Sequence, residues 1–498
     1  MRQSNDTTIP LRHADRFFIG GDWVRPSSDA VLTVIDPANE ERFLSVAEAK
    51  AADMSRAVGA ARQAFDEGPW PRLTHSERAE YLRAIAAGLR ERAEDLGQIW
   101  PREAGVLHAV AQTSGAREAK AFEDYAELAG TFPFEEQVTP TMGEFGLIVR
   151  EPAGVVGAIV PWNAAMDQIT HKVAPALLAG CTVVLKAAPQ APGEAYVMAE
   201  TAQAAGLPPG VLNVVTADRE VSELLVRDPR VDKITFTGST AAGRRIASLC
   251  GERVARCTLE LGGKSAAVIL DDMDLATAAG TLAGMACFLS GQVCSALTRI
   301  VVTRDRHDDL LAAVADIFAK VRVGDPFDEQ TQMGPLAASR QRDRVEGYIA
   351  KGVAQGATLA AGGGRPEHLD RGWFVEPTVF GNVDNSSVIG QEEIFGPVLS
   401  VIPAADEREA IAIANDTMYG LNASVFTNDV ERARDVARQL RSGTVGHNAF
   451  RSDFGMAFGG FKQSGIGREG VREGLFPFLE TKSVILEGRP AGYATLAN

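Results

Sequence analysis

From Leu147 onward, short apolar segments alternate with longer segments of helical spacing, and this alternation constrains the fold more than any other feature. Val155–Val160 is typical of a buried strand, and a helical pattern follows it as far as Leu178. The alternation continues with strands at Thr182–Lys186, Val211–Val215 and Lys233–Phe236, and with helices at Gly193–Ala205, Glu220–Val226 and Ala241–Cys250. It predicts a parallel sheet with crossover helices.

A second alternation begins near Ser265–Ile269 and predicts a second α/β unit. A chain of 498 residues is long enough for two such units with a large core. Before the first sheet, Ala-rich segments of helical spacing run from Val46 to about Leu128, and residues 1–16 are predicted to be a loose arm. The further elements of the second unit are predicted at Ala276–Phe288, Arg299–Thr303, His307–Lys320, Ala338–Gln355, Val398–Ile402 and Ala423–Phe426.

Cys294, Glu260 and Asn163 are the residues best suited to covalent chemistry. Cys294 lies outside any apolar periodicity, and a thiolate is a strong nucleophile toward an electrophilic carbon. Glu260 precedes Leu261 and two glycines that allow close backbone approach, and a carboxylate held near the thiol can deprotonate water. Asn163 follows a buried strand, at the sheet edge that ligands favour, where its amide can donate to an oxyanion.

At these residues, in the frames Pro161-Trp162-Asn163, Glu260-Leu261-Gly262-Gly263 and Gly291-Gln292-Val293-Cys294, the sequence resembles the aldehyde dehydrogenase superfamily. The resemblance extends from about Phe18 to about Val484. It implies that Cys294 attacks an aldehyde, that Asn163 and the Cys294 backbone N–H stabilise the oxyanion, and that Glu260 activates the water that releases an acid. Members that transfer the acyl group to coenzyme A tend to lack this carboxylate. A coenzyme A-acylating enzyme and a non-catalytic structural protein on the same fold are the two alternatives.

The resemblance also implies a domain organisation. A Rossmann-like dinucleotide-binding domain is expected at 17–131 and 152–262, and an α/β catalytic domain at 263–472. A small β oligomerisation arm is expected at 132–151 and 473–498, because the β-like segments Thr139–Arg150 and Thr481–Leu486 resemble pieces that pair between subunits in the family. A homodimer or homotetramer follows from that arm.

The segment Phe236–Thr240 is the best candidate for binding the pyrophosphate of NAD or NADP, because it connects a strand to a helix N-terminus. A G-x-G-x-x-G motif at 465–470 does not follow a strand, and we interpret it as a loop. The residues that the resemblance assigns to the cofactor are Val160, Trp162, Lys186, Gly238, Ser239, Glu393 and Phe395.

Pro189 bears on the choice between the two cofactors. Family members that prefer NAD commonly place a Glu three residues after the lysine that corresponds to Lys186, and that carboxylate repels a 2′-phosphate. Here Pro189 occupies the position and can neither accept a hydrogen bond nor repel charge. The sequence therefore predicts that NADP is accepted.

Several departures from the family pattern concern the aldehyde tunnel. Ala164 and Ala165 follow Asn163, where the family commonly has an aromatic residue and a proline. Polar side chains further along predict a wider and more polar tunnel, on the hypothesis that they face it. These side chains are Asp167, Gln168, His171, Arg451 and Ser452.

Composition excludes other classes of function. The net charge of −15 argues against a nucleic acid partner, because phosphate binding needs clustered cations. The five cysteines are too few and too irregularly spaced for a disulfide framework, and the seven histidines show no metal-ligand spacing, so we expect a reducing, cytoplasmic location and no metal. No apolar run approaches the length of a membrane span, so no membrane partner is expected.

Overall fold

A computed structural model of the chain describes residues 10–493. Its largest sheet has eight strands, and the central five, which carry the first predicted alternation, are parallel. Numbered in chain order, its strands lie side by side as β19 (Gly465–Ile466), β11 (Arg256–Glu260), β10 (Lys233–Thr237), β7 (Val155–Ile159), β8 (Thr182–Ala187), β9 (Leu212–Thr216), β1 (Phe17–Ile19) and β2 (Asp22–Val24). The strand order reverses between β7 and β10, which is where ligands bind in open α/β sheets.

Helices cover both faces of this sheet, and each face has its own apolar core. The crossover helices are α6 (Ala165–Ala179), α7 (Gly193–Ala204), α8 (Arg219–Arg227) and α9 (Thr240–Glu252). The helices that precede the sheet's central strands are α1 (Ala51–Asp66), α2 (His75–Glu91), α3 (Ala93–Ala104), α4 (His108–Ala111) and α5 (Ser114–Thr131). Helix α1 packs on β8 and β9, whereas α5 packs on α2 and α6 on the opposite face.

The second predicted alternation forms a seven-stranded sheet that is parallel except at its edge strand β14. Its strands lie side by side as β14 (Thr358–Ala361), β15 (Thr378–Gly381), β16 (Val398–Ala404), β13 (Arg299–Thr303), β12 (Ala266–Ile269), β17 (Asn422–Phe426) and β18 (Thr444–His447). The later helices are α10 (Leu275–Cys287), α11 (His307–Phe318), α12 (Ser339–Ala354), α13 (Val388–Gln391), α14 (Glu407–Asn415), α15 (Val430–Ala437) and α16 (Val471–Leu475).

A separate three-stranded antiparallel sheet contains both β-like segments that the sequence indicated. Strand β20 (Leu479–Leu486) pairs along its whole length with β6 (Phe145–Pro152), which also pairs with β5 (Glu135–Val138). The expectation of one continuous segment at Thr139–Arg150 was wrong, because residues 139–144 form the connection between β5 and β6. Strand β20 is the outer strand of this sheet.

The N-terminal region differs from the sequence prediction. Val46 lies in a strand, β4 (Arg42–Ala47), which pairs with β3 (Val31–Ile35) ahead of the first helix. These strands have only five and six residues and lack a regular alternation of apolar and polar side chains, so the sequence pattern did not distinguish them from a loop. Of the predicted loose arm, residues 1–9 lie outside the described residues. Within 10–493, no helix is both long and apolar enough to cross a membrane.

Candidate active site

Cys294 lies in a sharply bent loop between α10 and β13. The three residues Leu289, Ser290 and Gly291 all have positive φ, at 48°, 54° and 71°. Two of them are not glycine, so this left-handed conformation must be held by the surrounding contacts. The Ser290 hydroxyl donates to the Gly334 carbonyl at 2.8 Å, and a Cβ at Gly291 would collide with the backbone of Gly396.

Cys294 lines two cavities, one of about 530 Å³ and one of about 520 Å³. The environment of its thiol favours the protonated form. Burial raises its pKa to about 12, and the negative charges of Glu393 and Glu260 add to that effect. The thiol is therefore protonated at neutral pH in this structure, and reaction requires that its proton be removed. Gly263 packs directly against the Cys294 carbonyl, where a Cβ would collide with it, which explains why a glycine follows Glu260 in this bend.

Asn163 is beside the same thiol and lines both cavities. Its side-chain amide donates to the backbone carbonyl of Gln292 at 2.9 Å, and its own backbone carbonyl accepts from Trp100 Nε1 at 2.9 Å. These bonds tie the end of β7 to the loop that carries Cys294. The structure thus brings together Cys294, the predicted nucleophile, and Asn163, the predicted oxyanion donor.

Glu260 ends β11, and its side chain is buried. It is not among the residues that line either cavity; its Oε1 faces Gly459, where a Cβ would lie only 2.6 Å away. Neither carboxylate oxygen has a hydrogen-bond partner within residues 10–493. Burial, and then the charge of Glu469, hold the Glu260 pKa well above its usual range, whereas Lys172 lowers it.

The lysine and glutamate that act on Glu260 form a buried network that the sequence reasoning missed. Lys172 Nζ lies 2.6 Å from Glu469 Oε1, 2.6 Å from Thr237 Oγ1 and 3.3 Å from Gln168 Oε1. The available signal was a lysine in α6, nine residues after Asn163 and directly before the apolar run from Val173 to Ala179. Glu469 belongs to the G-x-G-x-x-G segment, whose backbone pairs with Phe458 and which contributes no residue to the two cavities.

The 530 Å³ cavity extends from Cys294 between α5, α6 and the loop at 450–455. Of the side chains hypothesised to face the aldehyde tunnel, Asp167, Gln168, His171 and Ser452 line it. Arg451 is exposed and lies outside that lining. Ala164 is also in the wall, and α6 contributes the polar side chains of Asp167, Gln168 and His171 to a lining that is mainly apolar.

The 520 Å³ cavity lies at the point where the strand order of the large sheet reverses. It is lined by five of the seven residues assigned to the cofactor, namely Trp162, Gly238, Ser239, Glu393 and Phe395. Val160 and Lys186 are buried and lie outside its lining. Three residues of α12 that the sequence reasoning did not identify, Arg340, Gln341 and Arg344, also line it. The sequence contained no signal that these side chains, which belong to a helix of the second α/β unit, would line a cavity at the edge of the first sheet.

This second cavity fits a dinucleotide. Helix α9 begins directly at the wall of this cavity, where the Ser239 hydroxyl accepts from the Ala242 N–H at 3.3 Å. The remaining N–H groups of the first turn are suited to binding an anion such as a pyrophosphate. A Cβ at Gly243 would collide with Leu261. Gly243 therefore allows the helix to pack closely, as the last glycine of the usual dinucleotide-binding motif does. Glu393, which accepts from the Gly263 N–H at 3.0 Å, lies between this helix terminus and Cys294.

Comparisons with known proteins agree with this geometry. Residues 23–484 match the model of the aldehyde dehydrogenase family. The geranial dehydrogenase of Castellaniella defragrans is 42% identical over 482 residues, which is 97% of this chain and 100% of that protein. The 3-succinoylsemialdehyde-pyridine dehydrogenase of a Pseudomonas species is 41% identical, over 95% of this chain and 99% of that protein.

Solved structures give the same result. A Mycobacterium tuberculosis aldehyde dehydrogenase complexed with NAD+ superposes with a TM-score of 0.93 at 46% identity, covering 97% of this chain and 99% of that one. A Pseudomonas syringae aldehyde dehydrogenase, a cysteine-to-alanine mutant complexed with NAD+ and octanal, superposes with a TM-score of 0.92 at 40% identity. It covers 96% of this chain and 99% of that one.

Proposed function

This chain belongs to the aldehyde dehydrogenase family and oxidises an aldehyde to a carboxylic acid with NAD or NADP, and we propose that Cys294, Asn163 and Glu260 carry that reaction. The observation that supports the assignment is the position of Cys294, a cysteine that lines both cavities. One cavity is suited to the aldehyde and the other to the dinucleotide. A carbon bonded to this sulfur would therefore face both.

The Cys294 thiol passes its proton to solvent and its sulfur adds to the aldehyde carbon, while the carbonyl electron pair moves onto oxygen and gives a thiohemiacetal oxyanion. Asn163 then has to exchange the Gln292 carbonyl for the new oxyanion, and the Cys294 backbone N–H supplies a second donor. When bound, the nicotinamide group accepts the hydride of the former aldehyde carbon, which leaves a thioester on Cys294. Trp162, Gly238, Ser239, Glu393 and Phe395 would hold the cofactor in the 520 Å³ cavity, and Val160 and Lys186 stay assigned to it by family resemblance alone.

Glu260 deprotonates the water that hydrolyses the thioester. Its carboxylate has to turn from Gly459 toward Cys294 for this step, and the lack of a hydrogen-bond partner within the described residues leaves it without a contact to break. Burial is the main cause of the raised pKa of Glu260; within the nearby Lys172–Glu469 ion pair, 2.6 Å apart, Glu469 opposes its ionisation and Lys172 favours it. Glu260 also favours hydrolysis over transfer to coenzyme A.

The function is tested with a panel of aldehydes and each cofactor, in the presence and absence of coenzyme A. We expect reduced cofactor and free acid in equal amounts without coenzyme A. Acyl-coenzyme A as the product would support the acylating alternative. No reduction with any aldehyde would support the non-catalytic one.

Replacing Asn163 with alanine should lower kcat by about a hundredfold or more, the usual loss for one oxyanion donor. Because Asn163 also ties two loops together through Gln292, thermal unfolding should be compared with that of the wild type. Cofactor affinity, measured by fluorescence titration, should change little. A defect in cofactor binding with unchanged kcat would mean that Asn163 has another role.

Discrimination for NAD over NADP should be no stronger than about a hundredfold in kcat/KM. Pro189 lies in a tight turn closed by the Ala188–Ala191 bridge, three residues after the buried Lys186, and offers no carboxylate there. Introducing one as Pro189→Glu should strengthen the preference for NAD, because a carboxylate binds ribose hydroxyls and repels a 2′-phosphate. Strict NAD dependence of the wild type would show that another group excludes the phosphate.

We also propose the domain division at 17–131 with 152–262, 263–472, and 132–151 with 473–498. Membership of the three main sheets supports it, although β19 joins the first sheet from within the second segment. The last segment ends in residues 494–498, outside the described residues.

A reducing, cytoplasmic location is supported by the five cysteines, all of which are free.

Deleting the chain from Thr481 onward should cause dissociation or aggregation. Strand β20 covers β6, and its own outer edge, with Ile485 58% exposed, is suited to pairing with a second copy. We therefore propose a homodimer or homotetramer. Light scattering of the full chain and the truncated chain measures this directly. An active, monodisperse monomer of the full chain would contradict the proposal.

A further inference from the structure

Two of the five cysteines, Cys250 and Cys257, contact each other on one face of the large sheet. Cys250 lies in the last turn of α9, and Cys257 is the second residue of β11, the strand on which α9 packs. The Cys250 thiol donates a hydrogen bond to the Cys257 sulfur. Cys250 belongs to the apolar core between α9 and the sheet, and Cys257 packs against that core.

The connection from α9 to β11 holds the two cysteines in this arrangement. The Cys250 carbonyl accepts from the Ala255 N–H at 2.9 Å and from the Arg253 N–H at 3.2 Å, so the chain folds back at once. The Arg253 side chain donates to the Val226 carbonyl at 2.9 Å. Val254 has a φ of 57°, a conformation that a β-branched residue adopts only where its surroundings hold it. The thiols therefore meet in the folded chain without a movement of the backbone.

Cys257 is the accessible member of the pair. It is partly exposed, whereas Cys250 is only 1% exposed. Strand β19 pairs with Leu259 and Glu260 at the end of β11, so in the described structure the first half of β11 is an open sheet edge. Arg256, directly before Cys257, is exposed. A small oxidant can therefore reach Cys257 from solvent, with Cys250 directly behind it.

The surroundings of Cys257 favour its thiolate. The hydrogen bond from Cys250 holds the Cys257 pKa below its ordinary value, although burial opposes this, and the charge of Lys233 acts in the same direction as the hydrogen bond. Lys233 is 1% exposed, and its Nζ donates to the hydroxyl of Thr258 at 2.7 Å. Within residues 10–493 it forms no ion pair with a carboxylate, so its charge is free to act on the neighbouring sulfur.

The other cysteines are shifted in the opposite direction. Burial raises the pKa of Cys181 to about 11 and those of Cys287 and Cys294 to about 12. The same hydrogen bond that favours the Cys257 thiolate raises the pKa of Cys250, its donor. Because oxidants attack thiolates rather than thiols, Cys257 is the cysteine that an oxidant meets first.

We propose that Cys250 and Cys257 are a peroxide-reactive pair that closes to a reversible disulfide. The Cys257 thiolate attacks one oxygen of a hydroperoxide, the O–O bond breaks, and the leaving oxygen takes up the thiol's proton. With hydrogen peroxide the products are a sulfenic acid on Cys257 and water. The Cys250 sulfur then attacks the sulfenic sulfur and loses its own proton, and the hydroxyl group leaves as a second water. The two thiols lose two electrons, and these reduce the peroxide.

This site is separate from the dehydrogenase reaction. Neither Cys250 nor Cys257 lines the two cavities that Cys294 joins. The disulfide would close a short loop whose backbone is already folded, so the dehydrogenase should remain active in the oxidised form. In a reducing compartment such a bond is transient, which suits a site that responds to peroxide and is then reset by thiols.

The test is a peptide map of the folded, fully reduced enzyme after one equivalent of hydrogen peroxide. Trypsin separates the two cysteines because it cuts the chain after Arg245, Arg253, Arg256 and Lys264. Cys250 is then in the peptide 246–253 and Cys257 in the peptide 257–264. After free thiols are blocked with iodoacetamide, we expect these two peptides joined by a disulfide as the main oxidised product. Dithiothreitol should restore all five thiols.

Single variants separate the roles of the two cysteines. Cys250→Ser removes the second thiol, so a sulfenic acid should remain on Cys257, where dimedone traps it. Cys257→Ser should give neither the joined peptides nor a trapped sulfenic acid on Cys250. Cys181→Ser is the matched control, because Cys181 is buried in the core on the other face of the sheet, and it should leave the joined peptides unchanged. Dehydrogenase activity should stay within about twofold in all three variants.

A map without the joined peptides, even at a tenfold excess of peroxide, would overturn the proposal, as would a map in which Cys294 is the main oxidised residue. Should a variant fold poorly, as judged by thermal unfolding, the map of the wild-type enzyme decides alone, because it needs no substitution. None of these outcomes bears on the dehydrogenase reaction, which is measured separately as cofactor reduction.

Discussion

Cys294→Ala should lower dehydrogenase activity by a factor of about 10⁴ or more, because no other group can form the thioester. The fold should persist, since the loop is held by Ser290, Gly291 and Gln292 rather than by the thiol. Cofactor affinity should also persist. The measurements are the initial rate of cofactor reduction, thermal unfolding and a fluorescence titration with NAD.

The matched control for this variant is Cys287→Ala. Cys287 lies seven residues earlier, at the end of α10, in the apolar core of the second sheet. It lines neither of the two cavities, so its removal should change activity by no more than about threefold. Substantial turnover in Cys294→Ala would contradict the nucleophile assignment, as would a loss in Cys287→Ala as large as in Cys294→Ala.

Glu260→Gln should lower steady-state turnover by about a hundredfold or more while sparing acylation, because only the base for hydrolysis is lost. Glutamine matches the shape of the protonated acid, and the raised pKa of Glu260 already favours that form. Rapid mixing with excess aldehyde should therefore show a burst of about one reduced cofactor per active site, followed by slow release of acid.

The pH dependence gives a second readout. Because the Glu260 pKa is raised, the active carboxylate is scarce at low pH and increases as pH rises through the raised value. Hydrolysis by the wild type should accelerate with pH, and Glu260→Gln should lose that ionisation. Glu473→Gln, an exposed glutamate on α16, serves as the control. An unchanged steady-state rate in Glu260→Gln would remove Glu260 from the mechanism.

The strand–helix alternation was predictable from the sequence because each parallel strand is buried on both faces and therefore forms an uninterrupted apolar run. Val155–Ile159 and Thr182–Ala187 are such runs, and the predicted bounds differ from the observed ones by one residue. The strands at 17–47 are short and partly exposed, and their sequence pattern does not differ from that of a loop.

Catalytic roles for Cys294, Glu260 and Asn163 could be predicted from local frames, since glycines, prolines and a turn distinguish these residues from core positions. Their relative placement could not. The sequence suggested a carboxylate beside the thiol, whereas the structure places the Glu260 carboxylate against Gly459 and near the Lys172–Glu469 pair. That environment is built from three segments distant in the chain, and a linear pattern contains no distance between them.

By itself, the sequence determined the α/β class and the family, and it predicted the nucleophile, because periodicity and glycine-rich frames are local properties of the chain. Tertiary structure alone decided which side chains share a cavity. It paired Arg117 with Glu118 and brought polar atoms of Glu118, Asp167 and His171 within 4.8 Å of one another. Such pairing depends on how two helices and a loop pack around one space, and the sum of their charges there sets what that space can bind.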